Sequence, residues 1–160
     1  MATEIFRIEG LEQLQSQLAE IMQLGKATDI ARGTLVKAAR NAMDVVYYDV
    51  LTNAPYDAEK PRGPKNPIHL RDTVSLAARL PTETDRKSTM INQTDTAIAI
   101  VSVKKSAVSL AQELGTKKIP AQPFLRPALE RNRDHVVATF KEELQTYINQ
   151  VAAKHSRGKK

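Results

Sequence analysis

Apolar residues along the chain change their period, and each change marks an element. Ile5, Phe6 and Ile8 suit a short strand that Gly10 ends. Leu11, Leu14, Leu18, Ile21 and Leu24 then recur every three or four residues, the spacing of one helical face, as far as Gly25. A second helix is predicted from a cap at Thr28 or Asp29, with Leu35, Ala39, Ala42, Val46 and Val50 on its apolar side and Pro55 as its stop. At about 25 residues it is long for a small domain and should form the spine. The period then falls to two. Val74, Leu76, Ala78 and Leu80 alternate, as do Ile98, Ile100 and Ser102 against Ala97, Ala99, Val101 and Val103, which predicts two strands. The polar stretch between them has Met90 and Ile91 at its middle, suited to a third strand or a hairpin arm. Leu125, Leu129, Val136, Phe140, Leu144, Ile148 and Val151 form the stripe of a final long helix. The fold class expected is α+β, a small mostly antiparallel sheet packed by two long helices.

The connector before that last helix is the most informative segment. Val108, Ala111 and Leu114 have helical spacing and lead into Gly115, where a left-handed helix cap costs least because glycine has no Cβ. Pro120 and Pro123 lack the N–H that a sheet or helix interior needs, so residues 116–123 are expected to run as a stiff, extended strap. Pro127 is tolerated only in a first turn, which places the next helix start between Phe124 and Arg126. Upstream, Pro55, Pro61, Pro64, Pro67 and Gly63 mark residues 53–67 as a long exposed loop.

Composition excludes several kinds of chemistry. The 160 residues suit one domain, taken as residues 1–153 with a basic tail at 154–160. With no cysteine, disulfides, thiolate metal sites and a cysteine nucleophile are ruled out. No apolar run is long enough to span a bilayer and no secretion signal opens the sequence, so a soluble cytoplasmic protein without membrane contact is expected. The net charge of +6 is unevenly placed: 5 basic against 7 acidic side chains over 1–53, 11 against 7 over 54–120, and 8 against 4 over 121–160. Lys60, Arg62 and Lys65 in the proline-rich loop, and Lys154, Arg157, Lys159 and Lys160 in the tail, are candidates for contact with DNA phosphate or an acidic partner; ordinary solvated charge is the simpler reading.

His69, His135 and His155 are widely separated, no glycine-rich phosphate loop occurs, and Glu142 and Glu143 point about 100° apart on a helix. Neither an enzyme nor a cofactor is expected.

Three strings carry a resemblance to the tail-component family of long-tailed bacteriophages, the small neck or tail-completion proteins. They are Gly10-Leu11, between an N-terminal strand and a helix; Asn53-Ala54-Pro55 at the end of a long Ala-rich helix, followed by a variable loop and His69-Leu70-Arg71-Asp72-Thr73-Val74; and Glu113-Leu114-Gly115-Thr116 ahead of Pro120-Ala121-Gln122-Pro123-Phe124-Leu125-Arg126-Pro127-Ala128-Leu129. The chain departs from the family pattern where Ile68 and His69 replace a glycine before Leu70, and where Thr73-Val74 stand for Ser-Ile. The resemblance spans roughly residues 4–150. It implies a structural protein of the virion, assembled as a closed ring, sixfold or else twelvefold, at the head-proximal end of the tail, around the DNA passage and against other neck and tail proteins. Before incorporation such a protein resides in the host cytoplasm. No catalytic residues carry over. Candidate assembly residues are Leu70, Arg71, Glu113, Gly115, Thr116, Pro123, Phe124, Arg126 and Pro127. Phe124 is expected either to pack within its own subunit or to anchor on a neighbour, and Glu113 and Arg126 either to bridge subunits or to be exposed. A small basic nucleic-acid-binding protein is the alternative, weakened by the absence of a helix-turn-helix pattern and by only 3 Phe and 4 Tyr for stacking. A host-directed adaptor is a third reading.

Overall fold

A computed structural model describes residues 27–56, 69–88, 91 and 97–157. The N-terminal strand and first helix expected over residues 5–24 lie outside the described residues, as does nearly all of the proline-rich loop. The described elements run in the order α1 (Ala27–Asn53), a 3-10 turn (Arg71–Thr73), β1 (Ser75–Arg79), α2 (Glu83–Arg86), β2 (Ile98–Ser102), α3 (Ala107–Leu114) and α4 (Leu125–Arg157). This is an α+β fold, with two long helices and a two-stranded antiparallel sheet.

The spine is α1, which packs against β1, β2 and α4. Leu35, Ala38, Ala42, Val46, Val50 and Ala54 are its buried stripe. Ala38 takes the place expected for Ala39, which is half-buried, and Thr28 and Asp29 lie inside the helix rather than capping it. Small side chains at 38 and 42 let other elements approach α1 closely, and Pro55 follows its last turn, as expected. Two clusters order the core along α1. Val46, Val50 and Ala54 meet Phe124, Ala128 and Val136, near the start of α4, whereas Leu35 and Ala38 meet Leu144 farther along it. The two helices are therefore antiparallel. Asp49 reaches Arg131 and Asn132 while Asn41 reaches Glu143, in the same sense.

In the hairpin, Ser75 pairs with Ser102 and Arg79 with Ile98. Leu76 and Ala78 face inward opposite Val101 and Ala99, and Ala77 and Ile100 face outward. Lys104 N–H donates to Thr73 Oγ1, which itself donates to the Leu70 carbonyl, so both ends of the hairpin share one hydroxyl. The third strand sought around Met90 and Ile91 is not found where the chain is described. Thr82 and Asp85 instead form a capping box that starts α2, and Ile91 is a bend.

The last helix continues through Lys154 to Arg157, so the basic residues placed in a separate tail begin as part of α4. Its stripe is as expected at Val136, Leu144 and Ile148, but its most deeply buried residue among those described is Ala128, too small to weigh in the periodicity. No described helix is long and apolar enough to cross a membrane.

Candidate functional site

The connector between α3 and α4 is built around one carboxylate. Glu113, in the last turn of α3, accepts from the N–H groups of Phe124 (2.9 Å) and Leu125 (3.2 Å) through Oε2, and from that of Arg126 (3.1 Å) through Oε1. A helix start leaves its first four N–H groups without intrahelical partners. Here three of them go to Glu113, and the fourth position is Pro127, which has no N–H to satisfy. A negative charge at the positive end of a 33-residue helix adds to the fit. The Glu113 carboxylate is thus engaged within the chain as a helix cap, and its side chain is half-buried rather than exposed.

Gly115 ends α3 as expected, with its N–H on the Ala111 carbonyl, but at φ 74° and ψ 177° it lies outside the left-handed helical cap anticipated for it. A Cβ there would stand 2.8 Å from Ala121 N. The strap itself is not extended. Thr116 N–H donates to the Ile119 carbonyl, and Thr116 Oγ1 accepts from the N–H groups of Lys118 and Ile119, closing a tight loop. The hydroxyl at 116 supplies local hydrogen bonds that the proline count hides. The chain then returns to α3, where Gln122 pairs with Gln112 through both backbone and side chain. Phe124, 2% exposed, packs within its own subunit against the α1 stripe. Pro123 and Arg126 are exposed, and Pro127 is half-buried.

These bonds turn α3 inside out. Its polar side chains, Ser109, Gln112 and Glu113, point to the protein, and Ser109 closes a capping box with Ser106. Its apolar ones point to solvent: Val108 is 54% exposed, Leu110 44% and Leu114 53%, continued by Ile119 at 53%. The helical spacing of Val108 and Leu114 identifies the helix but not which side of it is buried. Lys104 and Lys105 precede this apolar face and Lys117 and Lys118 follow it, all exposed; none of the four has an ion-pair partner among the described residues. Sequence reasoning missed this face. Its signal was the lysine pair on either side of a segment in which Ala107, Val108, Leu110, Ala111 and Leu114 are apolar.

Leu70 and Arg71, the other assembly candidates, lie elsewhere. Leu70 packs against the core near Val74, and Arg71 stacks over the Tyr56 ring at 4.7 Å, with His69 tilted against the same ring at 4.6 Å. Together they clasp the two ends of the proline-rich loop. Arg71 Nε is shut from solvent and has no acceptor among the described residues. Lys60, Arg62, Lys65, Lys159 and Lys160 lie outside the described residues, and Lys154 and Arg157 are helical. Among the described residues no group of three or more metal-ligating side chains comes together. No family model, curated protein or solved structure matches the chain.

Proposed function

We propose that this chain is a structural protein of a bacteriophage virion, assembling as a ring at the junction of head and tail. The observation that carries the reading is the inverted helix α3, an apolar face held outward while its polar side chains are consumed in capping and strapping. Covering such a face removes apolar surface from water without first disturbing the fold that presents it. The face stands on the connector whose Pro-x-x-Pro-Phe-x-x-Pro-Ala string carries the resemblance to phage tail-completion proteins. In this reading the connector fixes the aim of α3, Phe124 locks the connector to the α1 spine, and neighbouring subunits meet over the exposed leucines.

Particles made by the genome that encodes this chain provide the test. Averaged images of the neck should contain a closed ring of copies, sixfold to match the tail or else twelvefold. Mature particles whose neck holds no copy of the chain would sink the reading.

A further inference from the structure

We infer that the outward face of α3 receives residues 4–25 of a second copy of this chain. The inference rests on the reading that the chain assembles with copies of itself, and it names the segment that makes the contact. Two properties of the face select the occupant. Its centre is apolar, formed by Val108, Leu110, Leu114 and Ile119, and its two ends carry Lys104 with Lys105 and Lys117 with Lys118. A complementary segment must be apolar along one side and acidic overall. Residues 4–25 have that character: Leu11, Leu14, Leu18, Ile21 and Leu24 fall at helical spacing, and Glu4, Glu9, Glu12 and Glu20 stand against Arg7 alone. Lysine pairs at both ends of the face fit a strip with acids spread along it.

The layout of the subunit favours a neighbour's segment over its own. Residues 4–25 lead into α1 at Ala27, the end of α1 beside Leu144 and the later part of α4. The α3 face is tied through Glu113 to Phe124, which belongs with Val50 and Ala54 at the opposite end of α1. The 27 residues of α1 span about 40 Å at 1.5 Å per residue. The segment therefore joins its own subunit at the end of α1 far from that subunit's α3 face. A neighbour set end to end brings its α3 within reach. Each subunit then offers an acceptor face at one end and a donor segment at the other, a head-to-tail contact that closes into a ring when the rotation between copies permits.

Because the chain has no cysteine, engineered thiols report the contact in the full-length protein. One preparation carries Leu18→Cys and a second Leu114→Cys, with Leu110→Cys as an alternative acceptor; the two are mixed and oxidised with diamide. The expected result is a mixed disulfide-linked dimer about tenfold more abundant than from Leu18→Cys with Tyr48→Cys, since docking raises the local thiol concentration into the millimolar range. Replacing Lys104, Lys105, Lys117 and Lys118 by Glu should abolish both the cross-link and the fast-sedimenting species, and adding Glu9→Lys, Glu12→Lys and Glu20→Lys should restore them. Cross-linking confined to the monomer in a chain carrying both thiols overturns the inference in favour of the segment's own subunit. Assembly that persists with neither cross-link nor charge rescue also overturns it, while leaving self-assembly standing; a chain that sediments as a monomer at every concentration removes self-assembly itself. Lysine-dependent binding to phosphatidylserine vesicles without a cross-link assigns the face to an anionic membrane and likewise overturns the inference.

Discussion

Glu113 Oε2 lies 2.9 Å from the backbone nitrogen of Phe124, eleven residues ahead in the chain, and this bond lets one side chain end the connector and begin the last helix. A cap supplied from that far away makes the start of α4 depend on the seating of α3. Removing the carboxylate with Glu113→Ala leaves three amide donors to water or to nothing, at a cost of about 2 kcal/mol. For a domain of this size that is a fall of about 4–8 °C in Tm. Glu113→Gln keeps one carbonyl oxygen and should lose about half as much, read by thermal unfolding monitored by circular dichroism. Equal stability of all three proteins would show that the cap contributes nothing.

Among the described residues Phe124 is the largest fully buried side chain, and it packs against the α1 stripe of its own subunit. Phe124→Ala removes the ring from between α1 and the start of α4, which should cost about 3–5 kcal/mol. Out of a typical total of about 5–15 kcal/mol the loss is severe, and it should appear in the purified, dilute chain as a large drop in the urea midpoint. A variant that unfolds like the parent but fails to assemble would place the ring's main contact in another subunit instead.

At Gly115 two independent costs coincide: a φ of 74° and the 2.8 Å approach that a Cβ would make to Ala121 N. The clash is with backbone, which cannot swing aside as a side-chain tip can. Gly115→Ala should therefore cost about 1–3 kcal/mol and Gly115→Val more, since a branched Cβ tolerates positive φ least. Because the strap aims α3, Gly115→Ala is also expected to weaken assembly beyond its effect on Tm. Sedimentation at a temperature where the variant remains folded separates the two effects.

The parts of this fold that were legible in the sequence are those set locally. Gly115 stops a helix and Pro127 sits in a first turn because each obeys a constraint carried by its own backbone. The hairpin was readable from alternation, since period-two burial follows from the pleat. Misreadings arose where a partner distant in sequence decides. Residues 116–123 look extended when only the prolines are weighed, but the Thr116 hydroxyl gathers two amides and folds them into a loop. The burial of Ala38 instead of Ala39 reflects how α1 is rotated against its neighbours, which apolarity does not distinguish between adjacent alanines. The polarity of α3 is the clearest case. Its apolar spacing carries no sign, and only the reach of Glu113 to the α4 amides shows that the leucines must face out.

Acid should loosen the pairing of α1 with α4 through Asp49. Its carboxylate accepts from Arg131 (2.8 Å), Asn132 (2.6 Å) and Asn53 (2.5 Å), and these bonds, that of Arg131 foremost, hold its pKa below the ordinary 3.8 although partial burial acts against them. A carboxyl whose pKa is lower in the folded state stabilises the fold at pH values above the unfolded pKa. That contribution falls away as the pH drops through the folded value. Because the Arg131 side chain is 53% exposed, water screens the pair and its contribution at neutral pH is small. Asp85, bonded to Arg79 and Thr82, is shifted in the same direction and adds to the same acid limb, but it joins only β1 to α2. Unfolding midpoints measured from pH 7 down to about pH 2.5 should therefore fall below about pH 4. Asp49→Asn should lower the neutral-pH midpoint and flatten that fall, whereas Asp85→Asn should flatten it without weakening the Asn41 and Glu143 contact farther along the helices. An Asp49→Asn profile parallel to that of the parent would show that the bonds of Asp49 to α4 are no stronger in the folded chain than those of an ordinary solvated aspartate.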